Sequence, residues 1–424
     1  MNRTTVFALA ALTLAAFRPL QAQTQSDTLA DLQRKIDILA EEIDRLKTGE
    51  VLRDTVGLTT GLGPAASRVY GSKIGGVSLA SYGEALYQNF DATVDDGASS
   101  DKKDQIDYLR AVLYVGHRFN DWILFNSEIE FEHASTGKGG EVSVELAYIE
   151  LLLSRAANLR TGLLLIPVGI INEKHEPTTY FGTARPRVEQ LIIPTTWRAL
   201  GIGSYGEITE WLNYRAYVVE GLNAAGFSGA NGIRGGRQSG ARAVAEDFGA
   251  TGRIEVLPLP ELTIGADFFA GNSGQGMTDS LGEIRAWTSV WSTHVEFAWN
   301  QLQLRGLYAR TSVSEADRIS QVVGSTVGSA MDGWYASAGY DVMPLLSSST
   351  AHALSPYVIY EEFNTHARVP AGSTQNAAYD GSTLTLGLMY SPTPGIAFKA
   401  DYRDNTDGSG GATDQWNLAI GYLF

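Results

Sequence analysis

The chain has 424 residues, 44% hydrophobic and only 19% charged, with 46 glycines, 19 tyrosines, 8 tryptophans and no cysteine. Abundant aromatics and sparse charge exclude a disordered chain, and the missing cysteines exclude a disulfide scaffold, Cys-based zinc sites and thiol catalysis. No uninterrupted apolar run reaches the roughly 18 residues of a membrane helix, so a Gly- and Tyr-rich, antiparallel all-β protein is the class that remains.

Residues 1–22 read as a signal peptide. Arg3 supplies the basic start, Val6 to Phe17 an apolar core too short to span a bilayer, and Leu20-Gln21-Ala22 a cleavage site. Its removal takes away Arg3 and Arg18, moving the formal net charge from −15 to −17. Such acidity opposes a polyphosphate, so no nucleic-acid partner is expected. In residues 23–47, Leu29, Leu32, Ile36, Leu39, Ile43 and Leu46 follow the a/d spacing of a heptad repeat. That predicts a short periplasmic coiled-coil helix, or a single amphipathic helix docked on the main domain. Residues 48–76, rich in Gly, Thr and Ser, read as a linker.

From Val77 onward the pattern has period two, and residues 77–424 divide into sixteen strands near 77–90, 106–118, 122–134, 141–154, 157–168, 198–209, 212–221, 242–257, 262–271, 285–298, 301–313, 332–342, 353–363, 382–391, 395–404 and 414–424. Leu384, Leu386, Leu388 and Tyr390 alternate with Thr383, Thr385 and Gly387 in one of them; Trp416, Leu418, Ile420 and Tyr422 alternate with Gln415, Asn417 and Gly421 in the last. Strands of this length cross a bilayer when tilted. Short links, as at Asn120, Glu210 and Asn300, alternate with long ones near 91–105, 169–197, 222–241, 272–284, 314–331 and 364–381. Outer-membrane barrels have this asymmetry of tight periplasmic turns and longer external loops. Two links break it: 135–140 is short for an external loop and 343–352 long for an inner turn. Trp122, Trp211, Trp299, Tyr402 and Trp416 sit where interfacial belts would run, and an even strand count puts both barrel ends in the periplasm. The expected fold is therefore a transmembrane antiparallel β-barrel in the bacterial outer membrane, in contact with its lipid.

Several segments carry a resemblance: Tyr82-Gly83-Glu84-Ala85, Phe119-Asn120-Asp121-Trp122, Arg160 through Gly169 (RTGLLLIPVG), Arg198 through Gly203 (RALGIG), and the alternating C-terminus ending on Phe424. The chain resembles outer-membrane porins of the phosphate-selective porin O and P superfamily, in its broad sense. That resemblance implies a sixteen-stranded, trimeric barrel with an inward-folded third loop, acting as a diffusion channel for small hydrophilic solutes or ions. The family's phosphate channels select through lumenal Arg and Lys ladders, whereas the inward positions here mix both signs.

Parity assigns those positions. In the second strand the apolar set is odd, so Tyr108, Arg110, Val112 and Tyr114 point inward. In the third the same parity sends Glu128, Glu130 and Glu132 inward, and a turn centred on Asn120 sets Arg110 opposite Glu130. The same logic lines the pore with Glu84, Glu145, Arg160, Arg215, Arg253, Glu255, Asp267, Glu296, Arg305, Lys399, Asp401 and Arg403. Lipid-facing Arg or Lys would cost about 2–4 kcal/mol at mid-bilayer. Glu128, Glu130 and Glu132 read either as a cation-attracting ladder or, preferably, as a wall neutralised by Arg110 and neighbouring arginines. The third external loop, 169–197, carries Glu173, Lys174, His175, Glu176, Arg185, Arg187 and Glu189. It is expected to constrict the channel with Arg185 and Arg187 opposing the three carboxylates, the alternative being a lid over the barrel mouth.

An enzyme on a barrel would need a base beside a nucleophile. Of six histidines only His294 points inward, near Glu296, and no HExxH, GxSxG or Walker-type loop occurs. No catalytic residue, metal or cofactor is expected. The alternatives to a general channel are an anion- or phosphate-selective channel and a structural barrel that tethers the membrane through its coiled coil.

Overall fold

Alternation of apolar and polar residues forces a wall with one face in lipid and one face inward. The computed structural model describes residues 60–347 and 351–424, all within one compact unit, Asp54–Phe424. The expected signal peptide, the coiled coil and the first part of the linker lie outside the described residues.

Sixteen strands form a closed antiparallel barrel among the described residues. They are β1 (Val77–Phe90), β2 (Gln105–Arg118), β3 (Ile123–Glu132), β4 (Val142–Leu151), β5 (Asn158–Leu165), β6 (Arg198–Thr209), β7 (Leu212–Glu220), β8 (Phe248–Leu259) and β9 (Leu262–Gly271). After a small hairpin, β10 (Thr278–Asp279) and β11 (Gly282–Glu283), come β12 (Thr288–Trp299), β13 (Leu302–Val313), β14 (Ala330–Tyr340), β15 (Ala353–Arg368), β16 (Asp380–Thr393), β17 (Ile396–Asp407) and β18 (Gln415–Leu423). Closure pairs β1 with β18 from Tyr82↔Leu423 to Phe90↔Gln415, which leaves no sheet edge unpaired. Each barrel strand corresponds to one read from the sequence, with shifts at the ends; β8 starts at Phe248, later than expected.

Burial reports the two faces directly. Leu386, Leu388, Trp416 and Leu418 are exposed on the outside, while Thr383, Thr385 and Asn417 are buried inside. Trp122, Trp211 and Trp299 stand exposed at the short turns, and the Trp416 ring packs on Tyr402 nearer the other rim. The two irregular links hold their places: 133–141 joins β3 to β4 at the long-loop end, and the link between β14 and β15 carries the short helix α3 (Met343–Leu346) at the short-turn end. Two other helices lie in long loops, α1 (Val188–Leu191) and α2 (Ala316–Val323).

Two β-bulges correct the parity reading. Between β1 and β2 the register shifts beyond the Glu84↔Arg110 pair. Tyr108 consequently stands on the outside, 41% exposed, hydrogen-bonded to Tyr422 at 3.1 Å and beside Phe131 in an outer groove. Between β3 and β4 the shift falls at Glu128/Ile129, leaving Glu145 without an opposite residue. The extra residue lets Glu145 and Glu150, of opposite parity, both point inward and be buried. The β2–β3 turn is also centred one residue later than expected, so Arg110 lies opposite Glu132. Parity survives a shift of two, and Arg110 still reaches Glu130 diagonally at 2.9 Å.

Candidate functional site in the barrel lumen

The inward charges form a paired wall. Arg110 bridges Glu84 at 2.8 Å and Glu130 at 2.9 Å. Arg160 bonds Glu150 at 3.3 Å and lies over the Tyr148 and Tyr205 rings. Arg215 and Arg253 share Glu173, at 3.3 and 3.0 Å, and both reach Glu255; Arg253 also meets Asp267 at 3.4 Å. Glu296 takes Arg305 at 3.0 Å and Lys174 at 3.3 Å. His294 lies between Asp267 and Glu255, at 3.4 and 3.7 Å, instead of beside Glu296. Glu128 is fully buried and accepts from His175 at 2.9 Å. Of the three-carboxylate ladder, only Glu132 retains partial exposure.

The loop 166–197 lies inside the barrel. Its apolar residues Ile170, Val188, Ile192, Ile193 and Trp197 are buried, with Trp197 against the Phe269 ring. Its polar groups reach strands on every side. The Thr183 amide and hydroxyl donate to Asp401, the Val188 amide to Glu361, the Tyr335 hydroxyl to Glu189, and Lys399 donates to the Tyr180 and Gly182 carbonyls. A loop bound to β1, β3, β15 and β17 crosses the lumen; it does not cover the mouth as a lid. Burial pushes the Glu189 carboxyl up to about 7, against the Tyr335 hydroxyl and the Ile171 amide.

The pairing expected within this loop is absent. Among the described residues no ion pair joins Arg185 or Arg187 to Glu173, Glu176 or Glu189, because the wall and the backbone occupy those carboxylates instead. Glu173 binds Arg215 and Arg253, Glu176 accepts from the Ala65 and Ala66 amides, and Arg185 donates to the His175 carbonyl. Arg187 lies over the Phe363 ring.

Three arginines outside the sequence-derived set join the site. Arg198, at the start of β6, pairs with Glu145 at 2.5 Å. Arg234 and Arg237, from the loop 221–247, bond carbonyls of the third loop, Arg237 reaching Thr196 at 2.8 Å. Burial, then Arg234 and Arg198, lower the Arg237 guanidinium to about 9; burial, then Arg185, lower Arg234. Their mutual repulsion marks a gathered cationic cluster, offset by Glu132 and by Glu145, which Arg198 pairs. Nothing local in RGGR flagged it, since long-loop residues have no parity.

At the long-loop end Lys102, Arg187 and Arg403 line a cavity of about 200 Å³ together with Thr383, Asn405, Asp407 and Gln415. None of the three cations makes an ion pair within 4.0 Å among the described residues, and the buried Arg403 Nε has no hydrogen-bond partner. Burial and then Arg403, against Glu361, lower the Arg187 guanidinium; burial and then Arg187 lower the Lys102 ammonium. Among the described residues no group of three His, Asp or Glu has the arrangement of a metal site.

A closed sixteen-stranded barrel with an apolar exterior, an ionised interior and an internal loop defines the class: a transmembrane β-barrel with the fold of bacterial outer-membrane porins. OmpF of Salmonella typhi, solved in complex with daunomycin, superposes with TM-score 0.53 at 14% identity, covering 82% of this chain and 97% of that one. The anion-selective porin from Comamonas acidovorans gives 0.51 at 13% over 82% and 99%; the outer membrane channel DcaP of Acinetobacter baumannii gives 0.51 at 11% over 82% and 97%. No protein-family model matches the chain. In sequence the chain is 36% identical over 383 residues to an uncharacterized protein of Aquifex aeolicus (strain VF5), covering 86% of this chain and 83% of that protein. It belongs to the family of that Aquifex protein.

Proposed function

We propose that the protein is an outer-membrane porin, a water-filled channel for passive diffusion of small hydrophilic solutes and ions, narrowed by the internal loop 166–197. The observation that carries this reading is that loop: it crosses a closed barrel, bonded to β1, β3, β15 and β17, with Arg234 and Arg237 on its carbonyls and Lys174 on Glu296, so a solute passing it meets both signs of charge. Porin selectivity of this kind arises from charged side chains at the narrowest level. On this reading the short-turn end, with the N-terminal segment, faces the periplasm, and the barrel assembles as the homotrimer that the porin O and P resemblance implies. Liposome swelling with small sugars tests the channel, and chemical cross-linking in detergent tests the trimer. Deleting residues 174–190 is expected to raise single-channel conductance; unchanged conductance removes the loop from the narrowing role.

A second reading, anion preference, is favoured by the cavity of Lys102, Arg187 and Arg403, whose cations have no carboxylate within ion-pair distance among the described residues. Reversal potentials in a salt gradient decide between the two: a general channel is weakly selective, whereas an anion channel follows the chloride potential.

A further inference from the structure

Residues 60–71 precede β1 inside the barrel, where the sequence reads as linker. The Thr60 carbonyl accepts from Arg160 at 3.3 Å, the Ala66 carbonyl from Asn126 at 2.9 Å, and the Tyr70 carbonyl from Arg118 at 3.3 Å. The Tyr70 hydroxyl donates to Glu150 at 2.6 Å. Leu62, Ala65, Ala66 and Val69 are buried against the inner wall. From the third loop, Glu176 receives the Ala65 and Ala66 amides at 2.9 and 3.2 Å. Two glycines allow this approach: a Cβ on Gly61, at φ +80°, would fall 2.5 Å from Glu173, and one on Gly63 2.6 Å from Glu176.

We propose that residues 60–71 are a plug that occupies the lumen at the short-turn end, and that its withdrawal opens a wider channel. The inference rests on the channel reading above. Three features support it. First, the anchors suit reversal: beyond Leu62, Val69 and Tyr70, the plug binds mainly through backbone groups, which water satisfies equally once the segment leaves. Second, its exit has a pivot, since Gly75 and Gly76 lie between the plug and β1 and Gly75, at φ +72°, is already tied to the wall by its amide on the Arg118 carbonyl at 2.7 Å. Third, the surface beneath is polar and takes water readily. Withdrawal removes the Tyr70 hydroxyl from Glu150 and both amides from Glu176, and uncovers Glu173, while Arg160 stays on Glu150 and Arg215 and Arg253 stay on Glu173.

The test uses the full-length chain in planar bilayers and two variants. One deletes residues 60–71, leaving β1 and the Gly75–Arg118 contact in place. The other is Val69→Cys with Gly116→Cys in the otherwise cysteine-free chain, where the Val69 Cβ lies 2.8 Å from the position of a Gly116 Cβ. That separation needs roughly 1 Å of relaxation to take a disulfide. The deletion is expected to at least double conductance. The oxidised pair is expected to hold the low-conductance level, and reduction to release it. A deletion variant with wild-type conductance, or an oxidised pair that behaves as the reduced one, overturns the plug while leaving the channel reading intact. If the deletion fails to fold, the cysteine pair decides alone. A silent wild type with a conducting deletion supports the plug, and silence in both overturns the channel reading and the plug together.

Discussion

Two parts of the inner wall carry the same residue types and differ in what faces them. Across β7, β8, β9 and β12, Arg215, Arg253, Glu255, Asp267 and His294 are closed into one buried network with Glu173 from the third loop. Between β15 and β18, Arg403 joins Arg187 and Lys102 around a cavity where, among the described residues, none of the three makes an ion pair. Parity places both sets inward; whether a charge can act on a solute depends on how many opposite groups already hold it. The first set is spent on holding the barrel together, and the second is the one on which the proposed anion preference depends.

Removing a member of each set should separate them. Arg253→Met leaves Glu173, Glu255 and Asp267 each one partner short, and breaking such a buried network costs about 3–5 kcal/mol. The urea midpoint of the folded barrel should fall accordingly, and an unchanged midpoint would remove the network from the structural role. Arg187→Gln with Arg403→Gln should barely move that midpoint but lower the anion-to-cation permeability ratio severalfold; a preserved ratio would make this cavity idle. Replacing Glu128, Glu130 and Glu132 together by Gln should change ion selectivity less, because His175 and Arg110 already hold the first two. A large swing toward anions would revive the ladder.

A fourth prediction concerns pH. Burial pushes the Glu176 carboxyl up to about 7, opposed by the Ala66 amide, His175 and the Ala65 amide, with Glu128 adding to the rise. Its neighbours in charge are His175 on the same loop, Glu128 on β3 and the Tyr114 phenol on β2. A carboxyl raised above its free value of about 4.3 keeps a proton that the exposed group has lost. Docking of residues 60–71 is then strongest below that free value, weakens as pH rises to about 7, and is flat above it. Burial works against His175, but Glu128 raises it overall and stays its partner when residues 60–71 leave, so His175 does not carry the trend. High-conductance openings should therefore become more frequent between pH 5 and 7.5, and Glu176→Gln should flatten the trend. The smallest effect belongs to Arg155→Ala at the exposed Arg155–Glu207 pair, where solvent screens the charge. Its midpoint should not move; a measurable fall would mean that this rim contact is structural.

Much of the wall was legible because lipid on one side and polar groups on the other impose a period of two that no tertiary detail can hide. Glu84, Arg160, Arg215, Arg253, Asp267 and Lys399 all lie where that rule sends them. The rule failed where the strand itself breaks period: the β1–β2 bulge turned Tyr108 outward, and the β3–β4 bulge brought Glu150 inward beside Glu145. Neither bulge has a residue signature as local as a turn glycine. The third loop was located by its length and place in order, but its partners were not, since Glu173 and Glu176 answer to β7, β8 and residues 60–66 instead of to their own loop's arginines.

Sequence alone determined that this protein is a sixteen-stranded barrel with alternating inner and outer positions, because that follows from a local repeat. Tertiary structure alone decided which inward charges are spent on one another, that Arg198, Arg234 and Arg237 join them, and that residues 60–71 lie within the lumen. Those outcomes depend on contacts between residues far apart in the chain, 218 positions for Thr183 with Asp401, and periodicity carries no information at that range.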